Sequence, residues 1–206
     1  MQTKLNLAQI GMMDIFLTNK ADPTCHTKFF QRLQDIFNQE SFGEIHKPDS
    51  KLRTFKHLKI DVGFENYISA IPSEKERVAL SKFRLSNHQL MIEKGRHRNI
   101  PKELRFCPIC PRSIENEVHF LILCKGYREE RQNLFEKIIK SNKIFPYKND
   151  LEKFKYLLTN EYTIRDTSRF ILQCNQIRET LIYRLLLARV VFIFHFLFIV
   201  LYILFL

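Results

Sequence analysis

Apolar residues recur at intervals of three and four along most of the chain, the spacing that builds one buried face of a helix. Lys28 to Gln39 carries Phe29, Phe30, Leu33, Ile36 and Phe37 in that register. Pro72-Ser73-Glu74-Lys75-Glu76 predicts a helix start. Ser73 can accept the amide hydrogen bond of Glu76 while the Glu76 side chain reaches back, and Val78, Ala79, Leu80 and Phe83 supply the apolar side. Ser86-Asn87 predicts a cap for a turn through Leu90, Met91 and Ile92 that Gly95 stops, and Pro101 predicts a further short turn. Ser113 predicts a cap for a helix with Val118, Leu121 and Ile122. A next stripe runs through Tyr127, Leu134, Phe135, Ile138 and Ile139. Asn149-Asp150 opens a helix with Leu151, Phe154, Leu157 and Leu158, and helical period resumes from Thr167 to Ile182. Loops are expected over 40–60, 95–113 and 141–149.

The pattern changes at the C-terminal end. From Val190 to Leu206 no residue carries a formal charge, and the apolar run extends back to Leu185 with Arg189 as its one interruption. At about 1.5 Å per residue the shorter run spans roughly 25 Å, slightly under a bilayer core, and Arg189 can snorkel to an interface. A membrane-spanning tail that leaves the basic body on the cytoplasmic side is one reading. A buried helix, or a stretch shaped by no folding constraint, is the other.

Composition narrows the class. The 206 residues include nineteen Phe, no Trp and only five Gly, with 33 Lys plus Arg against 22 Asp plus Glu for a net charge of +11. So few turn residues disfavour a sandwich or barrel. The glycines stand singly, so neither glycine-rich phosphate fingerprint can be built. A surplus of positive charge points towards polyanionic partners. The first twenty residues carry Lys4, Asp14 and Lys20 and no apolar run of signal-peptide quality. With an odd count of five Cys, reduced thiols are expected rather than a disulfide framework.

Three of those cysteines fall within eighteen residues. Cys107-Pro108-Ile109-Cys110 is followed by eight residues, His119, four more residues and Cys124. Zinc(II) takes four soft or borderline donors in a tetrahedron, and three thiolates with one imidazole are a common structural set. The two-residue gap lets Cys107 and Cys110 aim both sulfurs at one ion. His119 and Cys124 pose a difficulty, since five residues along an α-helix lie about 140° apart around the cylinder. The helix is therefore expected to end or unwind near Leu123. Arg105, Arg112 and Lys125 are placed to offset the site's negative charge, and a closed four-ligand set has no open position for catalysis.

A basic stretch precedes the cluster. Between Glu74 and Arg105 nine basic residues stand against four acidic ones. Lys82, Arg84, Lys94, Arg96, His97, Arg98, Lys102 and Arg105 are the candidate phosphate contacts. The run Lys94-Gly95-Arg96-His97-Arg98-Asn99 is expected to be a loop that can drape along a backbone. Phe106 and Tyr127 flank the cluster as candidate stacking platforms. Charge runs of this kind are also found as plain solvated surface.

Several segments taken together resemble a known family. Leu52-Arg53-Thr54-Phe55-Lys56, Gly63-Phe64-Glu65-Asn66-Tyr67, the run Leu80 to His88 and Ile92-Glu93-Lys94-Gly95-Arg96-His97 lead in order into the Cys107, Cys110, His119, Cys124 cluster. Over roughly residues 28–175 this resembles the region C-terminal to the reverse-transcriptase core of LINE-type (non-LTR) retrotransposon proteins. The resemblance implies a CCHC zinc motif with those four residues as ligands, binding to element RNA or target DNA, and a polymerase core as possible partner. No Tyr-x-Asp-Asp is present, so the polymerase's metal-binding aspartates are missing. Asp150, Glu152 and Lys153, which invite comparison with a nuclease, read instead as a helix first turn. The apolar tail departs from the family and suggests a truncated copy.

The expectation is thus an all-α, non-catalytic module with an embedded zinc knuckle-like site and a hydrophobic C-terminal helix. An N-terminal helical segment would span 1–60, a helical zinc-binding domain 61–180 and the tail 185–206. Structural Zn²⁺ is the expected cofactor and RNA or DNA the expected partner.

Overall fold

A computed structural model describes residues 25–47, 50–58 and 63–204, without the side chains of Cys25, His26, Arg189, Phe194 and residues 196–204. It is mostly helical, and among the described residues there is no strand, only an isolated antiparallel bridge between Phe106 and Ile114. The chain divides into two units, Met1–Phe64 and Glu65–Leu206.

In the first unit α1 covers Cys25–His46 and α2 covers Phe55–Leu58. The helix expected over 28–39 is therefore longer and takes in the first part of the expected 40–60 loop. Its apolar stripe is not a covered face: Phe30 and Phe37 are 55% and 58% exposed. The short α2 is the element of this unit that packs on it, and four residues are too few to cover a stripe three turns long. The expectation of helix before residue 25 lies outside the described residues.

The second unit holds the core. Its helices are α3 (Tyr67–Ala70), α4 (Glu74–Arg84), α5 (Met91–His97), α6 (Arg128–Ser141), α7 (Asp150–Thr159) and α8 (Ile164–Leu204). A π-helical turn, His119–Leu123, and short 3-10 turns link them. The long α8 packs most extensively on α4 and also on α6 and α7. Aromatic rings tie the elements together. Phe83 of α4 lies 5.5 Å from Phe120 of the π turn and 6.4 Å from Phe154 of α7, and Phe120 lies 4.9 Å from Tyr127. Leu80, Leu157, Leu158 and Ile171 complete a core closed to water.

Local signals decide the helix starts where the cap residue is near in sequence. Ser73 accepts the Glu76 amide at 3.4 Å, as expected, but the Glu76 carboxylate turns to Arg169 of α8. Asn149 makes the full reciprocal box, with 2.9 Å and 3.0 Å bonds to Glu152, so the first-turn Glu152 serves as part of the helix cap. Replacing Asn149 by alanine is expected to lower stability by about 1 kcal/mol, read as a shift in denaturation midpoint. A shift no larger than that of an exposed Lys143→Ala would remove the cap from the account.

Two local expectations are corrected. No Ser86 or Asn87 side chain caps α5; the carboxylate of Glu115 takes the Met91 amide at 2.6 Å and its carbonyl takes that of Ile92 at 3.0 Å. Nor does Gly95 stop the helix. It sits inside α5 because the Arg105 side chain lies across it, and a β-carbon there would come within 2.6 Å of Arg105 Cγ. The stretch Lys94 to His97 is thus helix rather than loop.

The C-terminal expectation also changes. The backbone of α8 is helical to Leu204, with Tyr183, Leu186, Val191 and Phe192 exposed. Among the described residues no helix is long and apolar enough to cross a membrane, so the spanning segment expected within 185–206 is not found there. The side chains from residue 196 onwards lie outside the described ones.

Candidate metal centre

Residues 105–127 form a folded loop whose ends are fixed before any ligand is considered. The Cys107 amide donates to the Ser113 carbonyl at 2.7 Å and the Ser113 amide to the Cys110 carbonyl at 3.2 Å, closing the turn that carries the first two sulfurs. Arg112 accepts a left-handed conformation within it, φ 70°, a cost of roughly 1 kcal/mol for a residue with a β-carbon. Ile109, between the two cysteines, lies so close to Gly126 that a β-carbon at 126 would approach it to 2.9 Å. Only glycine lets the two halves of the loop meet there.

The second half begins not at Ser113 but at Asn116, whose Oδ1 accepts the His119 amide at 2.7 Å. The five-residue problem is then solved by a wide turn. The Cys124 amide donates to the His119 carbonyl at 2.7 Å, an i→i+5 closure. That π geometry returns residue 124 over residue 119 instead of leaving it on the far side. Cys124 itself leaves the helix with φ −58° and ψ 126°, the break expected near Leu123.

Cys107, Cys110, His119 and Cys124 converge. All four are buried, and one donor atom from each lies within 4.8 Å of the others. The Cys124 sulfur is 3.9 Å from that of Cys107 and 3.7 Å from that of Cys110. Backbone N–H groups of Cys110 and Lys125 point at the sulfurs of Cys107 and Cys110, at 3.4 Å and 3.3 Å. His119 Nε2 is buried with no hydrogen-bond partner. A buried ring nitrogen without a partner carries a desolvation cost, which a ligated cation would remove. The four residues could hold a metal ion.

Charge in the cluster points the same way. The Cys107 thiol is held well below its ordinary range, at about 4, by the hydrogen bond from Cys124, helped by His119 and backbone amides and opposed by burial. The same bond, with burial, pushes Cys124 up. Three thiolates held this close together would require a cation.

The supporting residues differ from those expected. Arg105 does not face the sulfurs: its Nε and Nη1 donate to the carbonyls of Ile100 (2.9 Å) and Ile92 (2.8 Å). Arg131 takes that place. Buried in α6, it donates to the carbonyl oxygens of Leu121 (3.0 Å) and Cys124 (2.6 Å), the second of which also accepts the Tyr127 amide at 3.4 Å. Burial lowers its pKa while Cys124, Cys174 and Cys110 raise it. A second support is a bidentate pair. Arg178 of α8 donates to both oxygens of Glu115, at 2.9 Å and 2.8 Å, with both side chains at least nine-tenths buried. No sequence signal marks it, because the partners are far apart along the chain.

The candidate phosphate contacts separate into two groups. Lys82, Arg96, His97, Arg98 and Lys102 are exposed and Lys94 is half-buried. Arg96 and His97 both reach the Glu93 carboxylate. Arg84 is only 4% exposed, donates to the Leu158 carbonyl and Glu65, and lies 5.0 Å over the Tyr67 ring. Arg84 and Arg105 are thus internal ties. Tyr127 is 0% exposed within the aromatic core, whereas Phe106 is 40% exposed, so of the two flanking rings only Phe106 presents a face.

No protein-family model, no curated protein and no solved structure matches this chain.

Proposed function

We propose that the second unit is a zinc-stabilised, non-catalytic nucleic-acid-binding module. The observation that carries the metal half is the convergence of four buried side chains whose donor atoms all lie within 4.8 Å of one another. Three sulfurs and one nitrogen are the donor set that tetrahedral zinc takes, and softer than magnesium or calcium accept. Four protein ligands closed off from water suit a structural ion.

The nucleic-acid half rests on what surrounds the ion. Arg98, Lys102, Arg112, Lys125 and Arg128 are exposed on the loop and its flanks, beside the half-open ring of Phe106. Such cations meet phosphates, and such a ring stacks on unpaired bases. The +11 charge of the chain and its resemblance to the C-terminal region of LINE-type retrotransposon proteins favour the same reading. A reverse-transcriptase core is then the protein partner to seek.

The test is binding of single-stranded RNA and DNA by anisotropy across a salt series, with zinc and after chelation. The expected result is a steep fall of affinity with salt, with a log–log slope of about −3 for some four phosphate contacts to a single strand. Chelation is expected to abolish most of the binding. A flat salt dependence, or binding unchanged in the metal-free protein, defeats the proposal.

A further inference from the structure

The three sulfurs of the cluster stand in contact through Cys124, whose sulfur lies 3.7 Å from that of Cys110 and 3.9 Å from that of Cys107. Sulfurs 3.7 Å apart need only about 1.7 Å of approach to reach disulfide length. Zinc(II) has no redox chemistry of its own, so any oxidation here draws its electrons from the sulfurs.

The cover over this contact is thin on one side. Cys110 is the most exposed of the four cluster residues, at 7%. Pro111 and Arg112, which follow it, are exposed, as are Leu123 and Lys125 on either side of Cys124. A reagent little larger than water has only this loop to pass. Cys174, by contrast, is 0% exposed on the core side of α8. The spacing of Cys107-Pro108-Ile109-Cys110 is that of a redox dithiol, yet the shortest sulfur contact and the thinnest cover meet at Cys110 and Cys124.

We propose that the cluster is an oxidant-operated switch, in which hydrogen peroxide joins Cys110 to Cys124 and the loop gives up its metal and its hold on a strand. The inference rests on the zinc and nucleic-acid readings above and adds the regulation of that site. The Cys110 thiolate attacks one peroxide oxygen, the O–O bond breaks, hydroxide leaves, and a sulfenic acid remains. The Cys124 thiolate then attacks the Cys110 sulfur, the S–O bond breaks and a second hydroxide leaves. Two protons from solvent convert both hydroxides to water. Two thiolates have lost two electrons and one peroxide has gained them. Cys107 and His119 remain, half of the four donors that a structural zinc takes. Arg112 and Lys125, two cations of the proposed interface, stand two residues and one residue from the joined cysteines, so drawing the sulfurs together disturbs both.

The test uses reduced, zinc-loaded full chain carrying Cys25→Ser, with hydrogen peroxide added in a stoichiometric series. Zinc release is read with a chromogenic chelator, the disulfide by peptide mass mapping, and single-stranded RNA binding by anisotropy. The expected result is one zinc released for each disulfide, in a linked peptide that holds Cys110 and Cys124, while Cys174 stays unmodified. RNA binding is expected to weaken about tenfold or more, and a dithiol reductant with added zinc restores it. Zinc retained in excess peroxide, sulfinic acid in place of a disulfide, or a pair that includes Cys107 overturns the switch. So does a Cys110–Cys124 disulfide that leaves RNA affinity within twofold. A reduced chain that takes up no zinc, or a zinc-loaded one that binds no strand, defeats the reading beneath and the switch with it.

Discussion

Replacing Cys110 by serine is expected to remove the stoichiometric metal and, with it, the folded state of the second unit. A structural zinc site contributes an apparent binding energy of about 10–16 kcal/mol, comparable with the 5–15 kcal/mol or so of stability that a whole domain retains. The loop from Arg105 to Tyr127 has few alternatives to that ion. Its buried sulfurs and imidazole would otherwise crowd one another in a space closed to water. Wild type is expected to carry one zinc per chain by elemental analysis, and Cys110→Ser well under half of that. The control is Cys174→Ala, which deletes a buried thiol of α8 that is not part of the cluster. It should retain its zinc and lose only about 1–2 kcal/mol through a small cavity. Were Cys110→Ser to melt like Cys174→Ala, the four residues would be a core cluster of thiols and nothing more.

The second large effect concerns Glu115 and Arg178. Arg178→Met leaves a carboxylate in the core with only the Met91 amide for company, and such half-broken pairs typically lose about 3–5 kcal/mol. The loss is expected as a lowered denaturation midpoint with the slope unchanged, in excess zinc. Glu115→Gln combined with Arg178→Met removes the charge as well as its partner and should recover a substantial part. The pair also matters to the metal, since Glu115 lies between Cys110 and His119 in the chain and receives the amides at the start of α5. Weaker zinc binding in Arg178→Met is the accompanying expectation. A midpoint unmoved by Arg178→Met would mean that the buried pair holds nothing.

What sequence reading could and could not reach follows from the range of the interactions. The four-residue cluster was visible because metal coordination demands fixed residue types at short spacing. The break near Leu123 was visible because a helical wheel separates positions 119 and 124. That the break takes the form of a π turn was not visible, since it depends on Arg131 accepting the duty of closing two carbonyls. Helix starts were legible at Ser73 and Asn149, where donor and acceptor lie three residues apart. The start of α5 was not, because its cap comes from Glu115, in a different loop.

Charges were the least legible feature. Lys102 and Arg84 look alike in a list of basic residues, yet one lies in water and the other holds the Leu158 carbonyl from 74 positions away. Only tertiary packing tells a solvated guanidinium from a buried tie. The aromatic residues beside the cluster divide in the same manner, Phe106 outward and Tyr127 inward, because Tyr127 opens directly into α6 and is carried into the ring cluster with it.

The wide turn at 119–123 uses one residue more than a regular helix needs to come back to the same side. With three residues between the imidazole and the last sulfur, an ordinary i, i+4 pair would face the same space from successive turns, and the carbonyl of Leu121 would have less need of Arg131. Length in this stretch and the identity of residue 131 are therefore linked. A shortened loop would leave the arginine with less to close, whereas at the present length its loss is expected to strand the Leu121 carbonyl in the core, so the tolerance of position 131 to substitution depends on the length of this stretch.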